Sequence, residues 1–155
     1  MSIMVSSKRK GSLFDPIRQC FVSATPEEIV RQKLLQVMIT QLGFPKELLA
    51  IEKELSELPH LRGTAGLPKR RADVVCFAKG IHPEYPLYPL LLIECKEGRW
   101  NEGAKDQVLG YNHFVGALYV ALSGENLVEL IHPQSLSFLP PYSQLLENIC
   151  KSPCQ

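Results

Sequence analysis

The sequence predicts an α/β domain organised around one mixed β-sheet with helices on its faces. Three features support this class: a helix with strong start signals, a run of three strands after it, and a second helix that precedes two further strands. A helix between two neighbouring strands is typical of a parallel crossover, which is almost always right-handed. The chain of 155 residues is long enough to bury the core of one such domain.

The first predicted helix begins at Thr25 and ends near Leu42. Thr25 suits the N-cap, Pro26 suits the first helical position, and Glu28 completes a capping box. The glycine that follows ends the helix. Residues 1–24 are predicted to be a lead-in that is partly flexible and contains a short strand.

Three strands follow, predicted at residues 48–55, 72–78 and 89–96, with glycine- or proline-containing loops between them. These strands are expected to form an antiparallel meander. A second helix over residues 104–114 then leads to two short strands, 117–122 and 127–132, around a turn.

The predicted domain therefore spans residues 25–132, in the order αβββαβ plus an extra strand. Residues 133–155 hold four prolines and form a predicted C-terminal tail with a short helix at residues 142–150. The residues of this tail indicate no function.

Composition limits the partners of this domain. Charged residues make up 21% of the chain and the net charge is +1, so a nucleic-acid partner would have to be held by a local basic patch. The five cysteines are odd in number and two lie in predicted buried strands, which favours reduced thiols and a cytoplasmic location. We expect no membrane contact, because the sequence shows neither a signal peptide nor an apolar stretch of spanning length.

Charged residues mark the ends of two neighbouring strands. Glu94 and Lys96 lie two positions apart and share one face of the third strand, whereas Cys95 points into the core. Asp73 begins the second strand, and antiparallel pairing would bring it to the same sheet end as Glu94. Two carboxylates at one point suit Mg²⁺ or Mn²⁺, and the backbone carbonyl of Cys95 offers a third oxygen ligand. Lys96 could orient a metal-bound water or neutralise developing charge.

These motifs resemble the PD-(D/E)XK nucleases, in particular the N-terminal nuclease domain of type I restriction enzyme R subunits. The resemblance covers about residues 25–123 and rests on motifs in the same order along the chain: the Thr25 helix, the strand Arg70-Arg71-Ala72-Asp73-Val74-Val75, the strand Leu92-Ile93-Glu94-Cys95-Lys96, and Gln107 with Tyr111 on the next helix. Two departures are visible. Arg71 precedes Ala72-Asp73, so the proline of the signature is absent, and the chain has no Gly-rich nucleotide-binding loop.

The resemblance implies a restriction-endonuclease-like fold and a role for each matched residue. Asp73 and Glu94 would bind the metal, and Glu28 would add a carboxylate from the first helix. Lys96 and Gln107 would act in catalysis. The predicted nucleic-acid contacts are Tyr111 and the basic cluster of Lys69, Arg70 and Arg71.

Each of these residues also has a structural interpretation. Glu94 and Lys96 could form a surface ion pair, Asp73 could cap its strand, and Glu28 could be only a capping-box acid. Gln107 and the cluster Lys69–Arg71 could be solvated polar groups, and Tyr111 could lie at the edge of the core. Cys95 could pair with His113 as a nucleophile, although a thiol that faces the core is inert. The histidines show no zinc-ligand spacing. Trp100 could stack on a base or cover a helix end.

The sequence favours a Mg²⁺- or Mn²⁺-dependent nuclease that hydrolyses phosphodiester bonds of DNA without a nucleotide cofactor. A second interpretation is a nuclease-fold module that binds DNA or a protein but has no catalytic activity. A third is a resolvase-like homodimer, because one small domain would contact only one DNA strand.

Overall fold

A computed structural model describes the backbone of residues 11–151 and the side chains of residues 11–149. The predictions for residues 1–10 and 152–155 lie outside this range. The elements in chain order are β1 (Ser12–Asp15), β2 (Cys20–Ser23), α1 (Pro26–Thr40), β3 (Leu49–Glu54), β4 (Arg71–Lys79), β5 (Leu87–Cys95), α2 (Glu102–Val115), β6 (Tyr119–Gly124), β7 (Leu127–His132) and α3 (Tyr142–Lys151).

Strands β3 to β7 form one five-stranded sheet in the order of the chain. Strands β3, β4 and β5 pair antiparallel, which confirms the predicted meander. Strands β5 and β6 pair parallel, with α2 as the crossover, and β6 pairs antiparallel with β7. The predicted mixed sheet is therefore confirmed. Strands β1 and β2 form a separate antiparallel hairpin where the sequence indicated only a short strand.

Helices cover both faces of the sheet. On one face, apolar residues of α1 and α3 pack against alternating positions of the central strands: Val30, Leu34, Leu35, Met38, Leu145, Val74, Cys76, Leu91, Ile93 and Cys95. On the other face, α2 packs with Val108, Tyr111 and Val115 against Val75, Leu92, Val120 and Leu122. Burial of both sheet faces explains why β4, β5 and β6 are apolar along their length.

The segment after β7 contributes to this core. Leu139 and Leu145 are 4% and 0% exposed, and the amide of Tyr142 donates to the carbonyl of Leu42 at 2.9 Å. The domain boundary at residue 132 remains a prediction, but the packed core extends beyond it.

Helix α1 has the predicted N-cap and an unexpected polar face, but the predicted capping box does not form, because the carboxylate of Glu28 bonds to Arg18, Arg31 and Gln32 instead of the amide of Thr25. The Oγ1 atom of Thr25 accepts a hydrogen bond from the amide of Glu28 at 3.2 Å. Glu28, Arg31 and Gln32 are only 7%, 3% and 4% exposed, and their spacing places them on one side of the helix. Buried polar groups require partners. The partners of this face come from the hairpin, from the middle of β3 and from the start of β4.

Candidate functional site

Asp73 and Glu94 are neighbours at one end of the sheet. Val74 of β4 lies opposite Ile93 of β5, so the next position along both strands places Asp73 opposite Glu94. The two residues are 5% and 8% exposed. The amide of Cys95 donates to Oδ2 of Asp73 at 2.8 Å, which joins the two strand ends. The strand pattern in the sequence predicts this juxtaposition.

Glu94 has an unsatisfied carboxylate oxygen. Its Oε1 atom accepts a hydrogen bond from Nη2 of Arg70 at 3.2 Å. Its Oε2 atom is buried and has no hydrogen-bond partner among the described residues. Burial and then repulsion from Asp73 raise the pKa of Glu94 to about 7, although Arg70 and Lys96 oppose the shift. A divalent cation beside Oε2 would provide the missing partner and relieve the repulsion.

A second group of carboxylates surrounds Arg31 of α1. Its Nη2 atom donates to Glu27, Glu52 and Asp73 at 2.9, 2.8 and 3.2 Å. Its Nη1 atom donates to Glu28 at 2.7 Å. Asp73 therefore belongs to both groups, because it contacts Arg31 on one side and lies beside Glu94 on the other.

Glu27, Glu52 and Asp73 could hold a metal ion. Each offers one carboxylate oxygen, and these oxygens lie within 4.8 Å of one another. Burial raises the pKa of Asp73. Burial also raises the pKa of Glu52, and repulsion from Asp73 adds to this shift while Arg31 opposes it. The site therefore contains acidic groups whose ionisation is unfavourable even beside Arg31.

The backbone is irregular where these carboxylates meet. Ala72 packs on the α2 side and Val74 on the α1 side, although residues two apart on a regular strand share a face. Glu52, which lies opposite Asp73 between two paired positions, has a φ of 53°. This left-handed conformation is uncommon for a residue other than glycine and costs about 1 kcal/mol or more. The distortion falls at the point where Asp73 contacts Arg31.

Glu28 belongs to a network that joins the hairpin to α1. Its Oε1 atom accepts hydrogen bonds from Arg18 at 2.8 Å and Arg31 at 2.7 Å, and its Oε2 atom accepts one from Gln32 at 3.1 Å. Asp15 accepts hydrogen bonds from the side chains of Arg18 and Gln32 at 2.7 and 2.9 Å. The metal role of Glu28 remains a prediction, and the three donors already use most of the acceptor sites of its carboxylate.

The other candidate catalytic residues differ in burial and in the sheet face on which they lie. Lys96 is half-buried just after β5, and its ammonium forms no hydrogen bond or ion pair within the described range. Cys95 is 1% exposed, and its thiol packs in the core as predicted. Gln107 is exposed on α2, and its side chain forms no hydrogen bond to any described residue. His113 is also exposed on α2, on the sheet face opposite the cluster that contains Cys95, so the two do not form a nucleophile pair.

Arg70 is held between an aromatic ring and a carboxylate. Its guanidinium carbon lies 4.1 Å from the ring centroid of Tyr111, and it donates to Glu94 as described above. Tyr111 is 5% exposed, and its hydroxyl has no partner in the described part of the chain. Lys69 and Arg71 are exposed, and Nη1 of Arg71 lies 3.9 Å from Glu52. The basic cluster therefore forms the rim of the carboxylate site.

The sequence pattern did not indicate Glu27, Arg31 or Glu52 as site residues. Glu27 and Arg31 are four residues apart on α1, a spacing that favours an ion pair. Glu52 falls opposite Asp73 once the register of the meander is known. The spacing of Glu27 and Arg31 was therefore visible in the sequence, whereas the strand register that brings Glu52 and Asp73 to Arg31 was not.

A mixed sheet covered by helices on both faces, with two carboxylates at the ends of adjacent strands, defines a restriction-endonuclease-like α/β domain. The chain belongs to the family described as the type I restriction enzyme R protein N terminus, whose sequence profile matches residues 26–139. The predicted resemblance is thereby confirmed. No curated protein and no solved structure shows significant similarity to the chain. Among the described residues, no helix has both the length and the apolar character of a membrane span.

Proposed function

We propose that this nuclease-related domain is a metal-dependent deoxyribonuclease that hydrolyses phosphodiester bonds. The observation that carries the proposal is the buried pair of Asp73 and Glu94, in which Oε2 of Glu94 has no partner among the described residues. Each carboxylate has one arginine contact, Arg31 for Asp73 and Arg70 for Glu94, but Oε2 of Glu94 stays unsatisfied beside a second carboxylate, which is unfavourable. Membership in a restriction enzyme family supports the same activity.

Asp73 and Glu94 would hold Mg²⁺ or Mn²⁺, because both ions prefer oxygen ligands. Such an ion, when bound, polarises a phosphoryl oxygen and makes a bound water more acidic. Lys96 lies close enough to Glu94 to affect its pKa, and its ammonium is available to orient the attacking water or neutralise charge on the phosphate. Gln107 and the backbone carbonyl of Cys95 are further predicted contributors.

Arg70 would place a second positive charge at the scissile phosphate. A guanidinium has five N–H donors, and the contact with Glu94 uses a single one of its nitrogens. The ring of Tyr111 fixes the plane of the guanidinium, which favours bidentate contact with phosphate oxygens. Arg70 is thus positioned to bind the substrate while it partly balances Glu94.

The charge around the site suits a polyanionic substrate. The exposed side chains of Lys69 and Arg71 extend the positive surface beyond the carboxylates. A DNA backbone that runs along this surface would meet the basic rim before it reaches the carboxylates. Paired cuts in a duplex would require two copies of the domain, one for each strand.

Plasmid nicking in Mg²⁺ or Mn²⁺ tests the proposal. We expect D73N, E94Q and K96A each to lower the nicking rate by about a hundredfold or more, because each removes a group that acts on the phosphate or its ion. The matched variants D106N, E84Q and K53A change exposed residues of the same types and should retain the wild-type rate. Circular dichroism would confirm that all six variants fold. Equal nicking by all the proteins would eliminate the mechanism.

A second candidate is a nuclease-fold module that binds DNA without cutting it. The contact between Arg31 and Asp73 favours this candidate, since a guanidinium already balances one of the two carboxylates. The module would bind DNA equally well with and without chelator and would bind no divalent ion. A filter-binding assay in EDTA, run beside the nicking assay, distinguishes the two functions.

A further inference from the structure

Arg31 places one nitrogen at the point where three carboxylates converge. Its Nη2 atom lies 2.9 Å from Glu27, 2.8 Å from Glu52 and 3.2 Å from Asp73. These are the same three residues whose oxygens are spaced closely enough to hold a metal ion. A cation of the chain itself therefore occupies the position that charge and geometry would otherwise give to a metal.

The residue is firmly held there. Arg31 is 3% exposed, and its Nη1 atom bonds to Glu28, which Arg18 and Gln32 bind in turn. Displacement of the guanidinium would leave several acidic groups close together without their counter-charge, which is strongly unfavourable. A metal ion at this position would have to compensate for that loss.

On the other side of Asp73, Arg70 contacts only Oε1 of Glu94 and balances that carboxylate only in part. No hydrogen bond joins Arg31 to Glu94 within the described residues, and Oε2 of Glu94 has no partner there. Asp73 is meanwhile fixed at both oxygens, by Nη2 of Arg31 at 3.2 Å and by the amide of Cys95 at 2.8 Å. Donors of this kind orient a carboxylate for its ligand.

We propose that Arg31 is a positioning residue that acts as the built-in cation of the site, so that the chain binds one divalent ion, at Asp73 and Glu94, rather than two. This inference rests on the proposed function, because it assumes that the domain binds a divalent ion. It assigns Glu27 and Glu52 to Arg31 rather than to the metal. It also accounts for the presence of five acidic residues around one proposed metal position: Glu27, Glu28, Glu52, Asp73 and Glu94.

Titration of the full chain with Mn²⁺, followed by the paramagnetic resonance of free Mn²⁺, tests the inference without any activity assay. We expect one ion in the wild type and at least about a tenfold loss of affinity in E94Q. The side chain of Glu27 is 52% exposed, so E27Q is a matched variant that should retain the fold. Its affinity should stay within about threefold of the wild type, because Glu27 contacts Arg31 and not the ion.

Variants of Arg31 provide a second measurement. R31M removes the charge and retains an unbranched apolar side chain, and the stoichiometry should rise from one ion to two because the three carboxylates then lack their cation. R31K restores a positive charge and should return the stoichiometry to one. If R31M does not fold, the comparison of E27Q with E94Q still decides the question.

The outcomes separate this inference from the proposed function. Four results would overturn the role of Arg31 and leave a metal-dependent nuclease possible. They are two bound ions in the wild type, a tenfold loss of Mn²⁺ affinity in E27Q, an unchanged Mn²⁺ affinity in E94Q, and one bound ion in folded R31M. An absence of Mn²⁺ binding in the wild type would overturn the metal-dependent nuclease itself, and the inference with it.

Discussion

Glu94, a proposed metal ligand, lowers the stability of the folded protein when it is ionised. Its carboxylate is buried beside Asp73, and the pKa of Glu94 is raised to about 7 for that reason. An acid whose pKa is higher in the folded than in the unfolded state binds protons on folding. The free energy of unfolding therefore decreases as the pH rises from the unfolded value of 4.5 through about 7.

The variant E94Q should remove this pH-dependent loss, because an amide stays neutral at every pH. In the metal-free protein at pH 8, we expect E94Q to unfold at a higher temperature than the wild type, by roughly 2–4 °C for each kcal/mol regained. The difference should shrink at pH 5, where Glu94 of the folded wild type is protonated. Thermal unfolding in EDTA measures both values, with E84Q as the exposed control. An E94Q protein less stable than the wild type at pH 8 would contradict this account.

Some residues of the site could be predicted from the sequence and others could not, for physical reasons. Asp73 and Glu94 were accessible because each lies at the end of an apolar run, where the pattern changes abruptly. Arg31 interrupts the apolar face of α1, and such an interruption does not indicate what the residue contacts. Glu52 follows the apolar Ile51, a pattern typical of an outward-facing strand position, but its left-handed backbone breaks the alternation.

At the scale of elements, the end of β6 positions the loop that follows β5. The amide of Lys96 donates to the carbonyl of Ser123 at 2.7 Å. A Cβ atom on Gly124 would lie 2.7 Å from the carbonyl oxygen of Gly98 and 2.9 Å from the ring of Trp100. Trp100 therefore packs closely on the end of β6, and the loop that carries Lys96 has little room to move at this point.

The variant G124A should displace this loop. We expect it to lower the free energy of unfolding by about 1–3 kcal/mol, as overpacking does, and to reduce nicking because Lys96 shifts. The matched variant G110A lies within α2 with no atom near the added methyl, and it should raise stability by about 0.5–1 kcal/mol with activity unchanged. Urea unfolding measures both effects. Changes of the same sign in the two variants would refute the packing argument.

The helices and central strands could be predicted because their signals are local. Thr25 and Pro26 indicate the start of α1, and apolar runs bounded by glycine and proline indicate β4 and β5. The hairpin of β1 and β2 gave a weaker signal, since each strand has four residues and little burial. Its stability depends on contacts with α1 that no local pattern shows.

At the scale of the whole molecule, ion pairs attach the hairpin to the domain. Asp15 is fully buried and accepts hydrogen bonds from the amides of Ile17 and Arg18 and from the side chains of Arg18 and Gln32. Burial opposes ionisation, but these hydrogen bonds outweigh it and lower the pKa of Asp15. A lowered pKa contributes stability above the unfolded value of 3.8, and that stability is lost as the pH falls below it.

The variant D15N should remove this contribution and leave Arg18 without one of its partners. We expect a loss of about 3 kcal/mol in the free energy of unfolding at pH 7, as for other buried ion pairs that lose one member. The loss should be smaller at pH 3, because Asp15 of the wild type is then closer to its own pKa. Urea unfolding at both pH values, with D106N as the exposed control, measures the difference. Parallel pH profiles for D15N and the wild type would exclude the role of Asp15.

The topology of the sheet could be predicted from the order of elements, because a helix between β5 and β6 is typical of a parallel crossover. The packing of the C-terminal segment could not. Leu139 and Leu145 enter the core, but prolines between β7 and α3 interrupt any periodic pattern.

Strand β3 is an edge of the sheet, with one row of amides and carbonyls not paired to another strand of this sheet. Its left-handed residue, Glu52, interrupts that row at mid-strand, and the exposed charge of Lys53 follows directly. Kinks and charges on outer strands disfavour pairing between separate chains. The distortion that brings Glu52 to Arg31 therefore also protects the protein from aggregation through this border of the sheet.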